Sequence, residues 1–84
     1  MSVKVFVEKK ADKQFLKLPR GIQKKIIRTY NTLAINPTAG TKLHGELKKF
    51  YKFRVGDYRI VYTFNTKRKL VEVVKIEHRQ GVYR

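Results

Sequence analysis

Tyr51-Lys52-Phe53-Arg54-Val55-Gly56-Asp57-Tyr58-Arg59-Ile60-Val61-Tyr62 is the stretch on which the reading of this chain turns. Apolar and polar residues alternate on both sides of Gly56-Asp57, a two-residue hairpin signal with glycine where φ is positive. With those two residues as the turn, Val55 lies opposite Tyr58, Arg54 opposite Arg59, Phe53 opposite Ile60, Lys52 opposite Val61 and Tyr51 opposite Tyr62. One face then holds Tyr51, Phe53, Val55, Tyr58, Ile60 and Tyr62 and packs on helices. The other carries Lys52, Arg54 and Arg59. Directly opposed side chains sit about 5 Å apart at Cβ. Two cations there repel by roughly 3 kcal/mol at an effective dielectric near 20, less with splaying and salt. The facing arginines fit two readings: cations pointing to water from an open sheet face, or a built anion site.

Downstream, Leu70, Val71, Val73, Val74 and Ile76 make a run apolar on both faces, as in a strand inside a sheet. A five-residue turn from Asn65 to Lys69 sets Thr63 opposite Val71 and Arg59 opposite Lys75, with Glu77 and Arg79 further along that face. A slip of one residue would reverse every side chain. Upstream, Val3, Val5 and Val7 alternate with Lys4 and Phe6, a short first strand. Ala11, Phe15 and Leu18 mark one face of a short helix that Pro19 stops. Ile22, Ile26, Ile27, Tyr30, Leu33 and Ala34 form the stripe of a longer helix, ended by Asn36-Pro37. Thr38 to Glu46 reads as a polar connection. The order is strand, helical hairpin, then a three-stranded antiparallel meander: an α+β two-layer fold with the sheet packed on the helices.

The 84 residues make one domain, 1–84, near the low end of what folds without staples, burying roughly 60% of its unfolded surface. There is no cysteine, so no disulfide framework or thiolate metal site. No apolar run approaches a membrane span, and Met1 to Lys10 lacks a signal-peptide core, so a soluble, unprocessed, cytoplasmic chain is expected. Lys and Arg number 21 against 6 acids, a net charge of +15. Self-repulsion of that size finds a use with a polyanion, and nucleic acid is the leading partner. A membrane surface suits it less, because the cations do not line one amphipathic helix. An acidic protein is the third option and is compatible with nucleic acid as the first.

Glu8, Asp12, Glu46, Asp57, Glu72 and Glu77 are scattered, with only His44 and His78 to supplement them, so no metal site is expected, and no cofactor. Gly40 and Gly45 match no phosphate-loop fingerprint. Ser2 is the only serine, so no Ser-His-Asp set can be drawn. RNA cleavage needs none of these. The 2′-hydroxyl can attack its own neighbouring phosphate if the protein orients it, takes a proton, neutralises the phosphorane and protonates the leaving oxygen. Clustered arginine and lysine supply the electrostatic part. A tyrosine serves as base if cations lower its pKa from about 10, three units requiring roughly 4 kcal/mol. Tyr83, between Arg79 and Arg84, has such surroundings, though on residue pattern alone a tyrosine closing the core edge is the leading reading. His78 is the other proton-transfer candidate, or simply meets solvent at a strand end.

The pattern Leu47…Tyr51 to Tyr62, then a Val-rich strand, then His78-Arg79…Val82-Tyr83, resembles the RelE/ParE toxin superfamily of type II toxin–antitoxin systems. The helical hairpin with Leu18-Pro19 also fits, so the resemblance spans essentially the whole chain. It implies the RelE-like two-layer fold and a toxin held by a RelB-like cognate antitoxin, with operator DNA met only through that complex. In the RelE branch the activity is ribosome-dependent, metal-independent cleavage of mRNA in the A site, leaving a 2′,3′-cyclic phosphate. The family's roles fall on Lys52, Arg54 and Arg59 as phosphate holders, Arg79 as leaving-group acid or phosphorane stabiliser, and Tyr83 as general base. Lys48, Lys49, Lys75, His78 and Arg84 are the RNA-binding candidates around them. ParE-type chains usually lack the full set, which favours the RelE branch. A ParE-type gyrase poison and a non-catalytic basic nucleic-acid-binding module are the alternatives. Some RelE toxins continue into a C-terminal helix that the antitoxin displaces. With Tyr83 followed only by Arg84, an antitoxin is expected to cover the groove directly or deform the sheet.

Overall fold

The computed structural model describes residues 2–78. Strand β1 (Lys4–Val7) leads to helices α1 (Lys9–Leu16) and α2 (Arg20–Ile35). A short strand β2 (Thr41–Lys42), a 3₁₀ turn (Gly45–Leu47), then β3 (Phe50–Val55), β4 (Tyr58–Asn65) and β5 (Leu70–His78) follow. They form a five-stranded mixed sheet in the order β1-β5-β4-β3-β2, with β1 parallel to β5 and the other pairs antiparallel. The expected α+β order is the one observed. The brief β2 and the 3₁₀ turn interrupt what reads in sequence as a plain connection.

The helices cover one sheet face. Ala11, Ile26 and Leu33 meet Val55, Ile60, Tyr62, Val71, Val73 and Ile76 in the core, each large side chain contributing roughly 1.5–3 kcal/mol by leaving water. Ile27, placed by periodicity in the apolar stripe, is 49% exposed. The buried face turns instead toward Thr29, which donates its hydroxyl proton to the Lys25 carbonyl. That internal bond lets a hydroxyl sit in the interior. The turn between the helices is tied by the Gln23 amide, which donates to the Phe15 carbonyl at 3.1 Å and joins the Leu18 N–H as a second donor to that oxygen at the end of α1.

The β3–β4 register is the one expected, from Tyr51 opposite Tyr62 to Val55 opposite Tyr58. Gly56 has φ +60, as the turn requires. The β4–β5 register corrects the expectation. Asn65 pairs with Leu70, so the turn has four residues, not five. The Asn65 side chain accepts from the Arg68 N–H, and Lys69 takes a left-handed φ of 51, closing the chain one residue early. A bulge then falls between the Val61–Lys75 and Tyr62–Val73 pairs, leaving Val74 as the extra residue on β5. Thr63 therefore faces Glu72, not Val71, and Arg59 faces Glu77, not Lys75. Beyond Val73, where β1 ends, β5 has an open edge. Gln14 of α1 covers it, its side-chain oxygen accepting from the Ile76 N–H at 2.8 Å.

Candidate functional site

Alternation along β3 and β4 sends Phe50, Lys52 and Arg54, and Arg59, Val61 and Thr63, to the face away from the helices. Beyond the bulge, Lys75 and Glu77 join them from β5. A groove of about 510 Å³ crosses this face. Lys52, Arg59 and Val61 lie along it, Leu43, Leu47 and Phe50 stand on one side, and Lys10, Val74, Lys75 and Glu77 complete it. An apolar wall thus runs beside four cations and one acid.

The two facing arginines are directly paired, as the sequence requires. Each is drawn elsewhere. Arg54 is exposed, and its Nε donates to the Gly56 carbonyl at 3.2 Å. Arg59 turns to Glu77, Nε to Oε1 at 3.9 Å, and Glu77 Oε2 lies 3.3 Å from Lys75 Nζ. The repulsion expected across the hairpin is relieved by a carbonyl on one side and a carboxylate on the other. The expected additional cation opposite Arg59 is therefore an acid, while Lys75 reaches the same groove from beside Val61.

Of the residues expected at the site, Lys52, Arg59 and Lys75 line the groove. Arg54 shares their face at the hairpin end. Lys48 and Lys49 are exposed just before β3, with Lys49 Nζ 5.4 Å from the Phe50 ring centre, and neither lines the groove. His78 pairs with Tyr58 on the helix-facing side, its ring edge-on to the tyrosine at 4.7 Å. Arg79, Tyr83 and Arg84 lie outside the described residues. Sequence reasoning missed Lys10, Leu43, Leu47, Phe50, Val74 and the placement of Glu77. Phe50 was within reach, since it stands two before Lys52 on the same alternation. Lys10 was not, because only the docking of α1 at the end of β5 brings it there.

The wall is held by the β2–β3 pairing, by the Leu43 N–H donating to the Phe50 carbonyl at 2.9 Å, and by one buried hydroxyl. Tyr62 is fully buried and stacked on Tyr51, ring centres 5.2 Å apart. Its hydroxyl accepts from the Gly40 N–H at 3.0 Å, fastening the segment that leads to Leu43 and Leu47. Burial pushes the Tyr62 pKa above the usual phenol value, the Gly40 N–H opposes that, and Tyr51 adds to it. Tyr62 is thus a structural phenol with its proton held. Among the described residues no three His, Cys, Asp or Glu side chains gather into a metal-ligating group, and no helix is long and apolar enough to cross a membrane.

A family model described as the ParE toxin of the type II toxin–antitoxin system parDE matches residues 5–83. The chain belongs to this toxin family. The family match and the shared fold also place this type II toxin in the RelE/ParE superfamily with solved RelE structures. A chain of the RelBE2 toxin–antitoxin complex of Mycobacterium tuberculosis is 25% identical, with a TM-score of 0.86 over 94% of this toxin and 100% of that chain. A chain of the archaeal RelE–RelB complex of Pyrococcus horikoshii is 26% identical, with a TM-score of 0.80 over 94% and 97%. A mutant of E. coli RelE in the free state shares the fold at 21% identity, with a TM-score of 0.82 over 99% and 90%. No curated protein matches the toxin in sequence.

Proposed function

We propose that this toxin is a metal-independent endoribonuclease of the RelE kind, cutting mRNA on the ribosome. The observation that carries the reading is the groove itself, in which Lys52, Arg59 and Lys75 line one open sheet face beside Leu43, Leu47 and Phe50. Cations beside an apolar wall suit a single strand, whose phosphates take the charge while its bases meet the wall. A duplex would bury its bases and leave such a wall without a use. The family resemblance gives Arg79 and Tyr83 the proton-transfer roles, with Lys52, Arg54 and Arg59 on the phosphate. Attack by the 2′-hydroxyl expels the 5′-oxygen of the next nucleotide and leaves a 2′,3′-cyclic phosphate. Tyr83 accepts the attacking proton and Arg79 protonates the leaving oxygen or shields the phosphorane.

The partner proposed is a RelB-like antitoxin lying over the groove. Toxin–antitoxin complexes of that kind are among the similar structures. Toeprinting of ribosomes stalled on a defined mRNA, with EDTA present, tests the activity. Cleavage lost on Arg59→Ala and on the Arg79→Ala, Tyr83→Phe pair is the expected result. Intact mRNA with the wild-type toxin, or cutting unchanged by the pair, ends the nuclease reading. The matching family model is named for ParE, which keeps a gyrase poison as the second reading. Inhibition of gyrase supercoiling by the wild type, undiminished in the double variant, would select it.

A further inference from the structure

Among the described residues lining the groove there is one acid against Lys10, Lys52, Arg59 and Lys75. Glu77 places its two carboxylate oxygens on two different cations, Oε1 3.9 Å from Arg59 and Oε2 3.3 Å from Lys75. Two oxygens bridging two cations is the arrangement that phosphate oxygens would adopt in the same place. The Arg59 side chain is 19% exposed and that of Glu77 31%, so both retain solvent. Ion pairs in this setting add little to fold stability, and stability alone does not account for the placement.

We propose that Glu77 is an internal competitor for the oxyanion seat formed by Arg59 and Lys75. Its carboxylate holds both cations while the groove is empty, and an entering phosphate displaces it. The RNA reading above supplies the identity of that phosphate, and the competition itself holds for any oxyanion. One consequence is selectivity. A lone phosphate must outbid a tethered carboxylate, whereas a strand that also contacts Lys52 and the apolar wall has attraction to spare. Glu77 acts through Arg59 and Lys75, so it is a positioning residue and not a catalytic one.

Glu77→Gln and Glu72→Gln raise the net charge equally, and Glu72 lies on β5 opposite Thr63, away from the groove lining. The probes are inorganic pyrophosphate and a six-nucleotide RNA made uncleavable by 2′-O-methylation, both titrated at fixed salt by calorimetry. Glu77→Gln should tighten both by roughly fivefold, the scale of breaking two partly exposed ion pairs. Glu72→Gln should change them by less than about twofold, the screened effect of a distant charge. Glu77→Asp keeps the competing charge and should stay near wild type, and the melting temperature should be unaltered in all three variants. In the free Glu77→Gln protein the Arg59 Nε–H resonance should shift, and pyrophosphate should shift it again. Equal tightening in both glutamine variants would reduce the effect to overall charge and overturn the proposal. Weaker binding in Glu77→Gln, or no pyrophosphate binding in any variant, would overturn it as well. A protein that passes these tests yet leaves mRNA uncut retains the seat and loses the nuclease reading.

Discussion

Gly40→Ala tests how the apolar wall is fastened. A Cβ on Gly40 would lie 2.6 Å from the Lys52 carbonyl oxygen, 3.1 Å from its carbon and 2.8 Å from the Tyr62 hydroxyl. The first two atoms belong to the backbone of β3, which is paired on one side with β2 and on the other with β4. They cannot rotate aside as a side-chain tip can. Forcing in one methyl group therefore costs about 1–3 kcal/mol of strain. If the strand withdraws, the Gly40 N–H to Tyr62 bond lengthens, and an unpaired buried group adds about 1–3 kcal/mol. A total of about 2–6 kcal/mol is expected from urea unfolding followed by circular dichroism. Tyr62→Phe alone should cost about 1–2 kcal/mol through the lost partner of Gly40. In that background Gly40→Ala meets no hydroxyl and loses no hydrogen bond, so its further cost should shrink to the backbone clash with Lys52. Two results would refute the reasoning: Gly40→Ala within about 0.5 kcal/mol of wild type, or a cost that vanishes entirely in Tyr62→Phe.

Three further substitutions address separate features. Gln14→Leu removes the acceptor at the open edge of β5, so stability should fall by about 1–3 kcal/mol and the Ile76 amide should lose protection from hydrogen exchange. Lys69→Gly puts glycine at the left-handed φ of 51 and should stabilise by roughly 0.5–1 kcal/mol in the same urea assay. Tyr30 carries a buried hydroxyl without a hydrogen-bond partner, and burial, with Asp12 adding to it, pushes its pKa to about 12. Above pH 10 the unfolded chain gives up this proton and the folded one keeps it. Stability is thus fully present below pH 10 and is lost as the pH rises toward 12, by at most about 2.7 kcal/mol and less with solvent screening. Tyr30→Phe should match or exceed wild-type stability at pH 7 and flatten that alkaline loss.

The hairpin was readable because glycine marked its turn and strict alternation fixed both faces, so the pairing of Arg54 with Arg59 followed without coordinates. The β4–β5 register was not, and for two local reasons. Asn65-Thr66-Lys67-Arg68-Lys69 has no glycine to announce a left-handed residue, yet Lys69 supplies one with the help of the Asn65 side chain. The bulge at Val74 falls inside an apolar run, where an extra valine leaves the pattern unchanged. Two shifts of one residue each carried Glu77 to the place expected for Lys75. The same limit applies to Ile27 and Thr29, where composition alone favoured the wrong side chain for the interior. Leu43 and Leu47 were visible as apolar residues in a polar stretch, but nothing local ties them to a groove. That link runs through the short β2–β3 pairing, the Leu43 N–H to Phe50 carbonyl bond, and Gly40 with Tyr62, 22 positions apart.

The excess charge of this toxin and the position of its groove are separate properties. A net charge of +15 attracts any polyanion from a distance and falls with salt, without choosing where it lands. The choice is made on the open sheet face. Toward β1 that face carries Lys4 and Phe6 beside Leu70 and Glu72, a mixed surface with no net pull. Toward the β3–β4 hairpin it carries Lys52, Arg54, Arg59 and Lys75 with Glu77 as their one acid. On the nuclease reading, a strand guided in by the general field would settle at the hairpin end, between Lys10 and the 3₁₀ turn, because cations and an apolar wall coincide there. The facing arginines can be kept there because Gly56 and Glu77 hold them apart. Only the Glu77 half of that arrangement is a charge that an incoming phosphate can replace. Among the described residues Arg54, fixed to a backbone carbonyl, has no such competitor, and the two arginines of one cross-strand pair should answer differently to the same anion.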